Sequence, residues 1–380
     1  MTVDQAEETL ARVHLSAALE PGQPVLLEAV RAVGALVVVD RLRRGDSILD
    51  ADGRNGRRLG EVDPRAVLDR SADLGMRFLT PTSDAWPVSL DDLAGQVRDR
   101  RGSVPVGIWV RGELDPSRLA RSTAIVGSRA ATAYGTGVAT EWAAALTEDE
   151  VVVVSGAAYG VDAAAHRGAL AVGGPTVAVV AGGLDQAYPR GNAALIDRIA
   201  SGGLVVSEAA PGSVINRGRF LSRNRLIAAL AGGTVVVEAG ARSGALSTAR
   251  WASELLRPLA AVPGPVTSSM SVGTHQLLRD QQAVLVNRPA DVTELVGRLG
   301  ADASVPMPTA PRPTDGLSEP ASTVHDALPT RGTVTVAELI ASTGLAVSRL
   351  LPALSELAER GLVEGSADVW RRRAPRRRTA

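Results

Sequence analysis

VVVVSG, residues 151–156, sets four consecutive valines before a serine and a glycine. An apolar β-branched run without polar alternation describes a strand buried on both faces, and Ser-Gly marks its end. The same design recurs at TAIVG (123–127), TVAVVAGG (176–183), LVVSEA (204–209), TVVVEAG (234–240) and LAAVPG (259–264). Alanine-rich segments of helical periodicity lie between, such as VATEWAAAL (138–146) and AALIDRIAS (193–201). This alternation predicts a doubly wound, mostly parallel, Rossmann-like α/β sheet.

Outward from this centre the pattern changes. MRFLTPTSDAWP (76–87) and VGIWVRG (106–112) read as strands that lead into the sheet, so the α/β domain is expected over 76–300. Residues 1–75 read as a helical domain, with apolar recurrence at three and four broken by Pro21-Gly22 and Gly34. Residues 301–322 are rich in Pro, Ala and Ser and read as a linker. Over 323–370 two short helices, a turn and a longer helix predict a winged helix, and 371–380 is a basic tail.

Composition narrows the chemistry. The 41 basic residues are all arginine and the formal net charge is zero, so any site for nucleic acid must be a local patch. Without lysine or cysteine there is no P-loop lysine, Schiff base, thiolate ligand or disulfide. Four scattered histidines give no metal-ligand spacing, and no cofactor, metal or catalytic residue is expected. The amphipathic N-terminus is unlike a signal peptide and no apolar run reaches membrane length, so a cytoplasmic protein without a membrane partner is expected.

In a parallel sheet the loops after the strands share the carboxyl edge, where such folds bind ligands. Here those loops carry Gly127-Ser128-Arg129, Ser155-Gly156 with Gly160, Gly182, and Ser243-Gly244. Glycines admit close backbone approach and helix N-termini attract anions, so the edge suits several phosphates. Asp162 is expected to cap the helix after SGAAYG, with His166 packed beneath the loop. Glu238 stands at a strand end as either a catalytic carboxylate or a hydrogen-bond acceptor for loop amides. INRGRFLSRNR (215–225) falls on the same edge, between the strand ending at Glu208 and the next helix. It holds Arg217, Arg219, Arg223 and Arg225 with Phe220 and Asn224, and no acid occurs between Glu208 and Glu238. Guanidiniums can track phosphates, Phe220 can stack a base, and Asn224 can meet a base edge or hold the loop.

The motifs AIVGSR (124–129), SGAAYGVDAAAH (155–166), AGGLDQAYP (181–189), FLSRNR (220–225), VVEAGARSGALSTA (236–249) and SVGTHQLL (271–278) occur in family order. In them the chain resembles the DprA/Smf family of DNA-processing proteins over about 120–290. Leu221 stands where that family commonly has proline, and His275 where it commonly has asparagine. The resemblance implies an extended Rossmann fold that binds single-stranded DNA, dimerises, and helps load the RecA recombinase in natural transformation. It also implies that Arg129, Arg217 and the FLSRNR residues line the DNA pocket. An alternative on the same scaffold is a phosphoribohydrolase-like nucleotide-processing enzyme, but AGGTVVVEA (231–239) lacks the first proline and the spacing of its PGGxGTxxE loop.

Overall fold

The computed structural model describes residues 3–297, 302 and 312–373. Two compact units divide the chain, Met1–Ser304 and Val305–Ala380. The first begins with helices α1 (Val3–Ala18), α2 (Pro24–Val33), α3 (Ala35–Arg43), α4 (Arg54–Glu61) and α5 (Pro64–Asp73). Local chemistry sets their ends. Gly34, at φ 84°, turns α2 into α3, and Asp63 caps α5 by accepting from the Arg65 amide at 2.9 Å.

After α5 come β1 (Met76–Leu79), the hairpin β2 (Val97–Arg98) and β3 (Arg101–Gly102), and β4 (Ile108–Gly112). Strand and helix then alternate: β5 (Ser122–Val126), α6 (Ala133–Glu148), β6 (Val152–Ser155), α7 (Val161–Ala171), β7 (Thr176–Val179), α8 (Ala193–Gly202) and β8 (Leu204–Ser207). The alternation continues through α9 (Arg217–Leu230), β9 (Gly233–Val236), α10 (Ala245–Glu254), β10 (Leu259–Ala261), α11 (Val272–Arg279), β11 (Val284–Leu285) and α12 (Pro289–Val296). Every strand expected from the sequence is present, each within a few residues of its apolar run.

These strands build one sheet in the order β1-β4-β8-β7-β6-β5-β9-β10-β11. The run from β8 to β11 is parallel throughout, and β4 and β1 extend it antiparallel. Period-two alternation divides the core. Ala124, Val126, Val152 and Val154 face one layer, which includes α9 and α10, while Ile125 and Val153 face the other, with α6 and α7. The boundary expected near residue 75 does not separate compact units. Trp109 of β4 donates its indole N–H to Ser16 of α1 at 3.0 Å, and Ser16 donates to the Glu208 carbonyl at 3.2 Å. The helices bury a core of their own, joined by Val106, and α1 also packs against the sheet through Val13.

The second unit contains α13 (Glu319–Ala327), β12 (Val334–Thr335), α14 (Val336–Thr343), α15 (Val347–Glu359), β13 (Val363–Ser366) and β14 (Val369–Arg372). Its antiparallel sheet runs β12-β14-β13. A capping box between Thr335 and Glu338 starts α14, and Gly344 at φ 68° ends it. Ser318 caps α13, so the helical pattern begins inside the stretch expected as linker. Residues 301 and 303–311 of that linker and residues 374–380 of the basic tail lie outside the described residues.

Candidate nucleic-acid interface

Chain winding reverses between β5 and β9, so the loops after these two strands diverge and open a crevice at their carboxyl ends. A cleft of about 1070 Å³ lies there. Its floor is set by the β5 loop. A Cβ on Gly127 would stand 2.6 Å from Val161 and 2.9 Å from the Glu238 carbonyl, so only glycine fits. The Ser128 amide donates to that carbonyl at 2.7 Å. The buried Glu238 carboxylate accepts from the Thr132 amide at 2.9 Å and the Thr132 hydroxyl at 2.6 Å. Of its two readings, the structure shows the hydrogen-bonding one: Glu238 staples the two loops flanking the cleft.

The opposite wall is α9. Asn216 caps it, accepting from the Arg219 amide at 3.0 Å, so the arginine stretch is the first half of the helix and not a loop before it. Helical spacing then sorts the side chains. Arg217, Phe220, Arg223 and Asn224 reach the cleft. The Arg129 guanidinium stacks over the Phe220 ring at 4.7 Å, and Tyr188 meets that ring at 5.6 Å and 57°. Arg129 and Arg217 are exposed, as are Arg242 and Arg250 of the same cleft, and none forms an ion pair among the described residues. The acids lining the cleft are Asp99 and Asp162.

Beneath this surface is a buried polar layer. Arg223 donates to the Gly156 carbonyl at 2.7 Å and to the Val179 carbonyl, and its Nε donates to Asn224 at 3.2 Å. Burial lowers its pKa to about 10, against the pull of Asp162. Burial likewise raises the Asp162 carboxyl, opposed by Arg223 and the Ala158 amide. His166 packs beneath the loop as expected, Nδ1 2.8 Å from the Thr176 hydroxyl. Burial first, and Arg223 second, lower its pKa to about 3. Asp162 is not the cap: Gly160 holds that position and Asp162 sits in the first turn. Asn224 donates to the Gly244 carbonyl at 3.3 Å and so holds the β9 loop.

Gly127, Ser128, Arg129, Ser243 and Gly244 line the cleft with the α9 residues, but six expected site residues do not. Arg225 is fully buried, bound through both terminal nitrogens to Glu208 at 2.7 Å. Arg219 binds Glu20 through Nε at 2.9 Å and Nη2 at 3.1 Å. Ser155 donates to the Ile125 carbonyl at 2.6 Å, tying β6 to β5. Gly156, Gly160 and Gly182 are close-approach positions. A Cβ there would stand 2.5 Å from Arg223, 2.2 Å from the Ser128 carbonyl and 2.6 Å from Ile215, respectively.

Residues 77–297, more than half of the chain, match the family model for DNA recombination-mediator protein A. A Mycobacterium tuberculosis protein named putative DNA processing protein DprA is 45% identical over 376 residues, spanning 95% of this chain and 93% of its own. The chain belongs to the DNA recombination-mediator protein A (DprA/Smf) family. Among solved structures, DprA from Streptococcus pneumoniae aligns with a TM-score of 0.59 at 31% identity, covering 74% of this chain and 94% of its own. DNA processing protein A from Helicobacter pylori, whose structure is described for its single-stranded DNA binding mode, aligns at 0.50 and 28%, covering 57% and 93%.

Within this DprA/Smf scaffold, the sequence reading missed Tyr188, Arg242 and Arg250. Tyr188 and Arg242 fall inside AGGLDQAYP (181–189) and VVEAGARSGALSTA (236–249), where the glycines are the stronger signal. Ser247 and Arg250 share one face of α10 at an interval of three, a signal that helical periodicity carries.

Proposed function

We propose that this cleft binds single-stranded DNA and that the chain acts without catalysis, as a mediator that helps load RecA recombinase onto the strand in natural transformation. The observation that carries the reading is the Phe220 ring between Arg129 and Tyr188, set among Arg217, Arg242 and Arg250, which form no ion pair among the described residues. An aromatic platform needs a base whose face is free, which a blunt duplex does not offer. Arginine forks grip phosphates whatever the sequence, so binding is without base preference. The H. pylori relative's described single-stranded DNA binding supports the same reading.

Two further elements belong to this proposal. The chain works as a cytoplasmic homodimer through its α/β unit, which leaves the short edge strand β11 exposed with Val284 and Leu285 both about half accessible. Two clefts in one dimer gain affinity for a long strand through effective concentration. The second unit, with its α13-β12-α14-α15-β13-β14 order, is a winged helix with a modulatory or partner-binding role.

The deciding experiment is fluorescence anisotropy with the full chain, comparing a single strand with a blunt duplex of the same sequence. Tighter binding to the single strand is expected, and equal affinity would overturn the reading. Faster RecA filament assembly on the bound strand checks the loading step, and mass measurement at micromolar concentration checks the dimer.

A further inference from the structure

The cleft's rim includes a segment from outside the alternating core. The β2–β3 hairpin pairs Val97 with Gly102 and Arg98 with Arg101, leaving a two-residue turn, Asp99-Arg100. Both turn residues have positive φ, 48° and 62°. A turn of this kind favours Asn-Gly, because a side chain at positive φ crowds the backbone. Here an arginine occupies the place best suited to glycine. Strain of this sort persists where the surroundings hold it, and its location is informative.

The surroundings do hold it. Gly102 donates its amide to the Gly22 carbonyl at 3.2 Å, and a Cβ on Gly102 would stand 2.0 Å from the Gln96 carbonyl. The buried Arg225, already paired with Glu208, donates Nε to the carbonyls of Gly102 and Ser103 at 3.3 and 3.2 Å. The hairpin is therefore a stiff arm fixed at its base by α9. Its tip reaches the cleft, which Arg98 and Asp99 line, and Arg98 bonds Glu254 at the end of α10 at 2.6 Å.

The arm also meets the start of α9. Arg101 donates to the Asp99 carbonyl at 3.2 Å, and its other terminal nitrogen lies 3.5 Å from where a Cβ on Gly218 would be. Arg217 and Arg219 stand in that same first turn, which contains no acid. Cations at the positive end of a helix dipole are unfavourable, and Glu20, which also meets Arg58 at 3.7 Å, pairs with Arg219 and not with Arg217. Arg100 is exposed and makes no ion pair among the described residues. An anion between the hairpin and the helix start would relieve both the like-charge crowding and the dipole.

We propose that the β2–β3 hairpin is a preformed phosphate-binding arm, with Arg100 and Arg101 holding backbone phosphates of the strand where it leaves the cleft along the start of α9. This rests on the single-strand reading above and lengthens the bound track beyond the stacking platform. The strained turn is the cost of presenting a guanidinium at the tip.

The test is Arg100→Gly, read by thermal unfolding and by binding to a thymidine homopolymer of about 20 nucleotides over a salt series. Relief of the turn should raise Tm by about 2 °C. The same variant should bind several-fold more weakly, with a log–log salt slope shallower by about 0.7. Stability and binding thus move in opposite directions, which neither a damaged fold nor a passive turn produces. A raised Tm with affinity and slope unchanged overturns the arm. Should Arg100→Gly fail to fold, Arg101→Gln decides by the same slope, and an unchanged slope overturns it. Phe220→Ala in parallel separates the two ideas. If it weakens binding while Arg100→Gly does not, only the arm falls; if neither changes binding, the cleft reading falls with it.

Discussion

The two halves of the arginine stretch use one side chain in opposite ways. At the start of α9, Arg217 is exposed beside the Phe220 platform, with no ion pair among the described residues. Two turns later Arg225 is sealed in the core against Glu208, and Arg223 is spent on backbone carbonyls. Guanidinium chemistry is identical in each, so surroundings alone decide the role. An arginine facing water keeps its fork for a phosphate. One in a low-dielectric interior must satisfy its donors at once, and becomes a fastener.

The largest expected effects are at buried groups, Arg225 and, beneath the cleft, His166. His166 is held neutral, with a folded pKa of about 3 against an ordinary 6.5, so it stabilises the fold fully above pH 6.5. That contribution drains away as pH falls from 6.5 toward 3 and amounts to at most roughly 5 kcal/mol. Urea unfolding at stepped pH should show the loss, and His166→Gln should flatten it. An equally steep acid profile in the variant would remove His166 from the account. Arg225→Ala strands the Glu208 charge and should cost about 3–5 kcal/mol of stability, measured by chemical denaturation. A loss below about 0.5 kcal/mol would break the comparison outright, because surface arginines behave that way.

The exposed half should answer to DNA and not to denaturant. Phe220→Ala is expected to weaken single-strand binding by about 1–3 kcal/mol with the salt slope nearly unchanged, since stacking releases few ions. Arg217→Ala should be the smallest change: the salt slope becomes shallower by about 0.7 and stability stays within about 0.5 kcal/mol. If Arg217→Ala destabilised the chain as much as Arg225→Ala, the division of α9 would have no meaning.

Much of this was legible in the sequence. The buried valine runs located the sheet, and the glycine-bearing strand ends located its ligand edge. Arg129, Phe220 and Arg217 fell on the cleft as read. Arg219 and Arg225 did not, for a reason that local inspection cannot supply. The stretch has no acid nearby in sequence, yet Glu20 and Glu208 reach it from 199 and 17 residues away. A gap in local charge says nothing about counterions delivered by the fold. Reading 217–225 as a helix would have placed Arg217, Phe220 and Asn224 on one face, because residues three and four apart share a side. The β2–β3 arm is not legible in the sequence, because neither its apolar pattern nor its turn residues carry an ordinary hairpin signal.

The Arg225 anchor has a genetic consequence. A screen for alleles that fail to bind DNA will recover substitutions at Arg225 beside those at Arg217, since losing the anchor frees the hairpin and unsettles the wall it braces. By phenotype the two classes look alike. They part only when protein abundance is scored with binding: contact alleles accumulate to normal levels, whereas anchor alleles are depleted by proteolysis and are rescued by growth at lower temperature.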